Sequence, residues 1–211
     1  MNADIILILL VLTNLRLLGA GRLGASVRTV AVQGVLLGAL ALMTHHHLTA
    51  VVLLVALSGM VLKGVVFPWL LFRALRAAEV EREVKPFVGP IMSLLAGVAA
   101  LGASLWLAHR LPLPDSPSSS LLVAVALFSI LVGLFLIVTR KKAISQVLGF
   151  LVMENGIYAF GVGLVLESPL LVELGVLLDV FVAVFVMGII IFQISREFDH
   201  IDTHELSRLR D

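Results

Sequence analysis

Seven runs of mostly apolar residues follow one another along the chain, over about 5–18, 27–43, 50–72, 87–108, 121–139, 144–166 and 170–194. Crossing the ~30 Å hydrocarbon core of a bilayer takes about 20 apolar residues in a helix. The pattern therefore predicts an all-α integral membrane protein with about seven transmembrane helices. The first run is short, but Arg16 near its end has an aliphatic stem that reaches the headgroups. Polar and charged stretches separate the runs. Arg22 and Arg28 follow the first, and the turn over 44–49 holds His45, His46 and His47. The stretch over 73–86 is charged and helix-prone, a solvated connection or a surface helix. The stretch over 109–120, with three prolines and a serine run, is the clearest loop. It divides the chain into a four-helix part, 1–118, and a three-helix part with a short tail, 119–211.

Composition agrees with the pattern. Of the 211 residues 60% are hydrophobic and 14% charged, against about 25% charged in soluble domains. The net charge of +1 is spread between apolar runs, which gives no footprint for nucleic acid. With seven spans and the N-terminus outside, every lysine and arginine except Lys63 and Arg110 falls on the inner side. That bias predicts a cytoplasmic C-terminus. The start, MNADIILILL, lacks a basic leader and reads as a first span. The absence of cysteine excludes iron–sulfur ligation and disulfides. The histidines, His109, His200 and His204 with the triple, lie at helix ends, in loops or in the tail, so no haem, metal or other cofactor is expected.

The chemistry-bearing residues are those that lipid should reject. Glu154, beside Asn155, sits at the middle of the sixth run. Asp179 lies inside the seventh, with Glu173 nearer the turn Glu167-Ser168-Pro169, and Lys63 lies inside the third. A charge at such depth costs about 2.5–3.5 kcal/mol on insertion scales and marks a candidate functional site. Pro68 cannot donate to the carbonyl of Gly64, so the helix should kink or loosen beside Lys63. Tyr158, one turn beyond Glu154, shares its face. Glu173 and Asp179 are about 9 Å apart along the axis and about 120° around it, so they face different neighbours. Carboxylates and a lysine in low dielectric change protonation state at modest cost, and each shift biases the next group. That is the basis of a lateral proton or cation relay through Glu154, Asp179 and Lys63, with Tyr158 extending it and Glu173 at its mouth. The plainer readings are that Lys63 snorkels to the surface and that the carboxylates only hold helices together.

The stretch FSILVGLFLIVTRKKAISQVLGFLVMENGIYAFGVGLV resembles the K-type subunit of respiratory complex I and the C subunit of multisubunit sodium/proton antiporters. That likeness covers about 121–196. Together with KGVVFPWLLFRALR and PLLVELGVLLDVFVAVFVMGIIIFQI, the longer pattern resembles component E of hydrogenase-4, a seven-helix subunit of group 4 nickel–iron hydrogenase complexes. The resemblance implies a membrane-arm subunit of a redox-driven proton or sodium pump in a bacterial or archaeal cell membrane. Its partners would be antiporter-like and quinone- or hydrogenase-arm subunits, and it would have no catalytic centre of its own. Where the complex I subunit carries its second-helix glutamate this chain has Leu151; Glu154 stands one turn later on roughly the same face. The alternatives are a subunit of a cation/proton antiporter without a redox partner, a structural scaffold and a stand-alone carrier.

Overall fold

The computed structural model describes residues 3–44, 50–77, 87–111, 117–163 and 188. The described chain is helical: α1 (Ala3–Gly19), α2 (Leu23–Thr44), α3 (Ala50–Val61), α4 (Phe67–Ala77), α5 (Pro90–Ala108), α6 (Pro117–Thr139) and α7 (Ala143–Gly163). A π-helical turn, Leu62–Val66, joins α3 to α4 and makes them one rod. Five of the rods are long and apolar enough to cross a membrane, among the described residues. The sixth, α1, has 17 residues, about 26 Å at 1.5 Å per residue, and is a little short of the hydrocarbon core. The protein is a multi-pass membrane protein. The expected seventh span, 170–194, lies outside the described residues apart from Gly188, as do the triple histidine and the tail.

The helices begin and end close to where the hydropathy pattern put them, and the differences have local causes. Pro117 opens α6, four residues ahead of the expected start. Proline is at home in a first helical turn, because its missing N–H is unsatisfied there anyway. Pro90 opens α5 in the same way, after an extended Gly89. The charged stretch after 72 begins as helix, since α4 carries Arg73 and Arg76 before the described chain stops at Ala77. The loosening expected near Pro68 takes the form of the π turn. Phe67 N–H reaches back to the Leu62 carbonyl, five residues away, and Pro68, the next residue, has no N–H to place.

Helices α2, α6 and α7 form the interior, whereas α5 and the α3–α4 rod turn most of their apolar surface outward. The tightest pair is the α6–α7 hairpin. Ideal Cβ positions at Gly156 fall 2.7 Å from Ile130 N and 2.8 Å from the Ala126 carbonyl, and at Gly149 2.9 Å from the Gly133 carbonyl. Backbone lies against backbone, as small residues permit inside membranes.

Two large apolar clusters fill most of the interior, and a small third joins Ala108 of α5 to Val123 and Ala124 of α6. One lies toward the ends where α1, α4 and α6 finish and includes Leu18, Val27, Leu71, Phe128 and Leu148. The other lies toward the opposite ends and includes Ile6, Leu40, Val125 and Ala159. Basic residues gather at the first of these ends. There the buried Arg140, just past α6, donates from Nη2 to the Leu18 carbonyl at 3.0 Å. That carbonyl is among the last four of α1, which have no partner within their own helix.

Substituting alanine for Gly156 places a methyl against backbone that cannot retreat. Overpacking of this kind costs about 1–3 kcal/mol. The Gly156→Ala protein should lose thermal stability in detergent, while Gly102→Ala, whose Cβ position meets nothing within 4 Å inside α5, should hold it or raise it slightly, because alanine is the better helix former.

Candidate functional site

Between the two large apolar clusters runs a polar layer that contains Lys63 and Glu154, with Tyr158 at its border against the second cluster. On α1, Asn14 lies between Leu10 and Leu17; on α2, Gln33 between Val30 and Leu37; on α7, Glu154 and Asn155 between Val152 and Ala159. Ser129 of α6 and Lys63 of the π turn complete it. Gln33, Lys63, Ser129, Glu154 and Asn155 sit near the middle of their helices, and Asn14 lies five residues before the end of α1.

The layer's centre is an ion pair. Lys63 Nζ donates to Glu154 Oε1 at 2.6 Å, with the two side chains 12% and 3% exposed. The ammonium also lies 5.5 Å from the centroid of the Tyr158 ring, within cation–π range. The lysine therefore turns inward to a carboxylate rather than outward to the headgroups. Two local features place it. Lys63 lies in the π turn itself, where the helix is widened by the five-residue hydrogen bond. Gly34 of α2 lets that turn approach closely: an added Cβ would come 2.5 Å from Lys63 Cβ and 3.1 Å from its carbonyl carbon.

Beside the pair is a hydrogen-bonded amide cluster. Asn14 Nδ2 donates to Ser129 Oγ at 2.8 Å. Gln33 Nε2 donates to Asn14 Oδ1 at 2.8 Å and to Thr13 Oγ1 at 3.0 Å. Ser129 and Thr13 in turn donate to the Val125 and Leu10 carbonyls of their own helices. Among the described residues, the buried acceptor Gln33 Oε1 and the buried donor Asn155 Nδ2 have no hydrogen-bond partner in the protein. Asn155 and Lys63 line a narrow cavity with Val27, Val30, Phe67, Pro68, Leu71 and Leu151. Its volume of about 10 Å³ is close to what one water molecule needs.

Of the five candidate residues, the structure thus brings together Lys63, Glu154 and Tyr158. Asp179 and Glu173 lie outside the described residues. Leu151, in the place where the complex I subunit has its glutamate, is buried and lines the cavity beside Lys63. The amide cluster was not singled out from the sequence, although its signal was there. Asn14 and Gln33 interrupt apolar runs just as the carboxylates do. Ser129 and Thr13 carried no such signal, because hydroxyls inside apolar helices ordinarily bond to their own backbone. Among the described residues no group of three or more potential ligands is placed to hold a metal ion.

Removing one partner of a buried ion pair leaves a charge uncompensated and costs about 3–5 kcal/mol, whereas removing both costs less. Lys63→Met and Glu154→Leu should each lower thermal stability strongly, and the double variant should recover part of the loss. A double-mutant cycle on melting of the purified protein measures that coupling.

Comparison with known proteins places this geometry in a family setting. The family model of NADH-ubiquinone/plastoquinone oxidoreductase chain 4L matches residues 120–211. The chain is 35% identical over 205 residues to an uncharacterized protein of Mycobacterium tuberculosis, covering 96% of this chain and 93% of the relative. It is 30% identical over 154 residues to hydrogenase-4 component E of Escherichia coli K12, covering 72% of this chain and 71% of that protein. Hydrogenase-4 component E of Shigella flexneri matches to the same extent. No solved structure matches.

Proposed function

The chain belongs to the hydrogenase-4 component E family, and we infer from that membership that it is a membrane subunit of a complex I-like complex. In finer terms, we propose a membrane-arm subunit of a redox-driven pump for protons or sodium ions. In this reading its N-terminus faces outward, its C-terminus faces the cytoplasm, and the complex sits in a bacterial or archaeal cell membrane. The gathering of basic residues at one end of the helices supports that orientation. Antiporter-like and quinone- or hydrogenase-arm subunits are its proposed partners. The electron-transfer chemistry belongs to those partners, and this chain contributes part of the ion path.

The observation that carries the proposal is the Lys63–Glu154 pair, buried at mid-helix in a chain that spans the membrane. At that depth the pair has little water to screen it, so a change of charge nearby acts on it strongly, and the pair hands that influence sideways to the next polar group. The Tyr158 ring lies beside the ammonium and steadies it. Asn155 and the adjoining cavity supply polar room beside Lys63 for a water that extends the path. Asp179 is the proposed next group, with Glu173 at the outer mouth.

The test combines partners and transport. Purification of the tagged protein from its native membrane in mild detergent should bring hydrogenase or iron–sulfur subunits with it. In complexes reconstituted in vesicles, Glu154→Gln should lower proton or sodium movement about a hundredfold, the scale of losing a positioned proton-transfer group, without loss of assembly. Asp179→Asn should act in the same direction. Only antiporter-type companions would instead favour a cation/proton antiporter. Impaired assembly with normal transport in the complexes that do form would leave the carboxylates a scaffolding role.

A further inference from the structure

At the end of the molecule where α1 turns into α2 there is an open groove. It is lined by Gly19, Ala20 and Gly21 at the turn, by Leu15 and Ala25, by Leu94 of α5, and by Arg16 and Arg22. Its volume is about 560 Å³, within the range of small-molecule sites. The packing of α5 explains why it exists. Gly97 lets α5 close onto Leu18 and Leu15, and Leu94 stays in contact range of the Gly19 position, 3.7 Å away. Two residues beyond the helix end that contact is lost, and an added Cβ at Gly21 meets nothing within 4 Å. The small residues of the turn recede and the groove opens.

Charge distinguishes the groove from an ordinary gap between helices. Arg16 and Arg22 are both exposed. Among the described residues the acids are Asp4 and Glu154, the first at the far end of α1 and the second at mid-helix, ion-paired with Lys63. Two exposed arginines thus line a pocket whose other lining residues carry no charge, at a helix end where headgroups meet water. Arginine matches phosphate oxygens with paired N–H donors, and basic pockets between transmembrane helices take anionic lipid headgroups. We propose that this groove is a binding site for an anionic phospholipid. The phosphodiester rests between Arg16 and Arg22, and the start of an acyl chain runs down Leu15 and Leu94. The proposal requires only that the chain spans a membrane and is independent of the relay.

The test uses the native complex in lipid nanodiscs carrying a small fraction of photoactivatable phosphatidylglycerol. Illumination should label peptides containing Leu15–Ala25 and Leu94. Unlabelled phosphatidylglycerol should compete and phosphatidylcholine should not. At the usual worth of a basic residue near an anionic membrane surface, Arg16→Gln with Arg22→Gln should weaken labelling about thirtyfold, and lysine at both positions should restore most of it. Gly21→Leu, which fills the groove and leaves both charges in place, should also abolish labelling. Equal competition by the two lipids, labelling unchanged by these variants, or labelling absent from these peptides in the wild-type complex would each overturn the proposal. So would crosslinking from cysteine at Leu94 to a neighbouring subunit in place of lipid.

Discussion

A lysine and a glutamate at the middle of membrane helices must find each other or be neutralised, and here they meet at 2.6 Å. Much of the interior is arranged around that contact. Lys63 sits in a π turn, Gly34 lets α2 lie against that turn, and Gly156 lets α7 lie against α6. None of these features is a good choice for an isolated helix. A π turn is rare, glycine weakens helices, and Pro68 removes a donor. Their occurrence together is accounted for by one requirement, to bring an ammonium and a carboxylate together inside a low-dielectric body.

The consequence is a molecule with an apolar cluster toward either end and a polar layer between them. In a soluble protein the driving force would be burial of apolar surface from water. In lipid that force is largely absent between helices, and close packing with hydrogen bonding takes its place. The amide cluster of Asn14, Gln33, Thr13 and Ser129 fits this economy, because it links α1, α2 and α6 through groups that would find no partner in hydrocarbon. The same layer that holds the helices together is the one through which we propose protons or cations are relayed. A relay needs polar groups held firmly at one depth, and packing in lipid rewards the same arrangement.

At the basic end the rules change, because water and headgroups are available. Arg140 is drawn inside to cap α1 at Leu18, while Arg16 and Arg22 stay outside around a groove. Tryptophan and arginine pair at both boundaries, Arg73 over Trp69 at this end and Arg110 over Trp106 at the other, with 5.9 and 5.4 Å to the ring centroids. Such pairs suit the membrane–water boundary, where an aromatic body and a charged tip are solvated by different phases.

The sequence by itself determined the helical class, the approximate limits of the rods and the places where charge enters lipid. Those features depend on local composition and on the length needed to cross a bilayer. It marked Lys63 and Glu154 as costly residues and Pro68 as a break, and it set Tyr158 on the face of Glu154 through the helical repeat. It held Asn14 and Gln33 in plain view without saying what they bond. Only the tertiary structure decided that Lys63 meets Glu154 and does not reach the surface, and that two amides and two hydroxyls from three helices form one cluster. The residues of the pair are 91 positions apart. Whether they meet depends on a π turn and on glycine contacts between helices, and no hydropathy pattern carries the rotation of one helix against another.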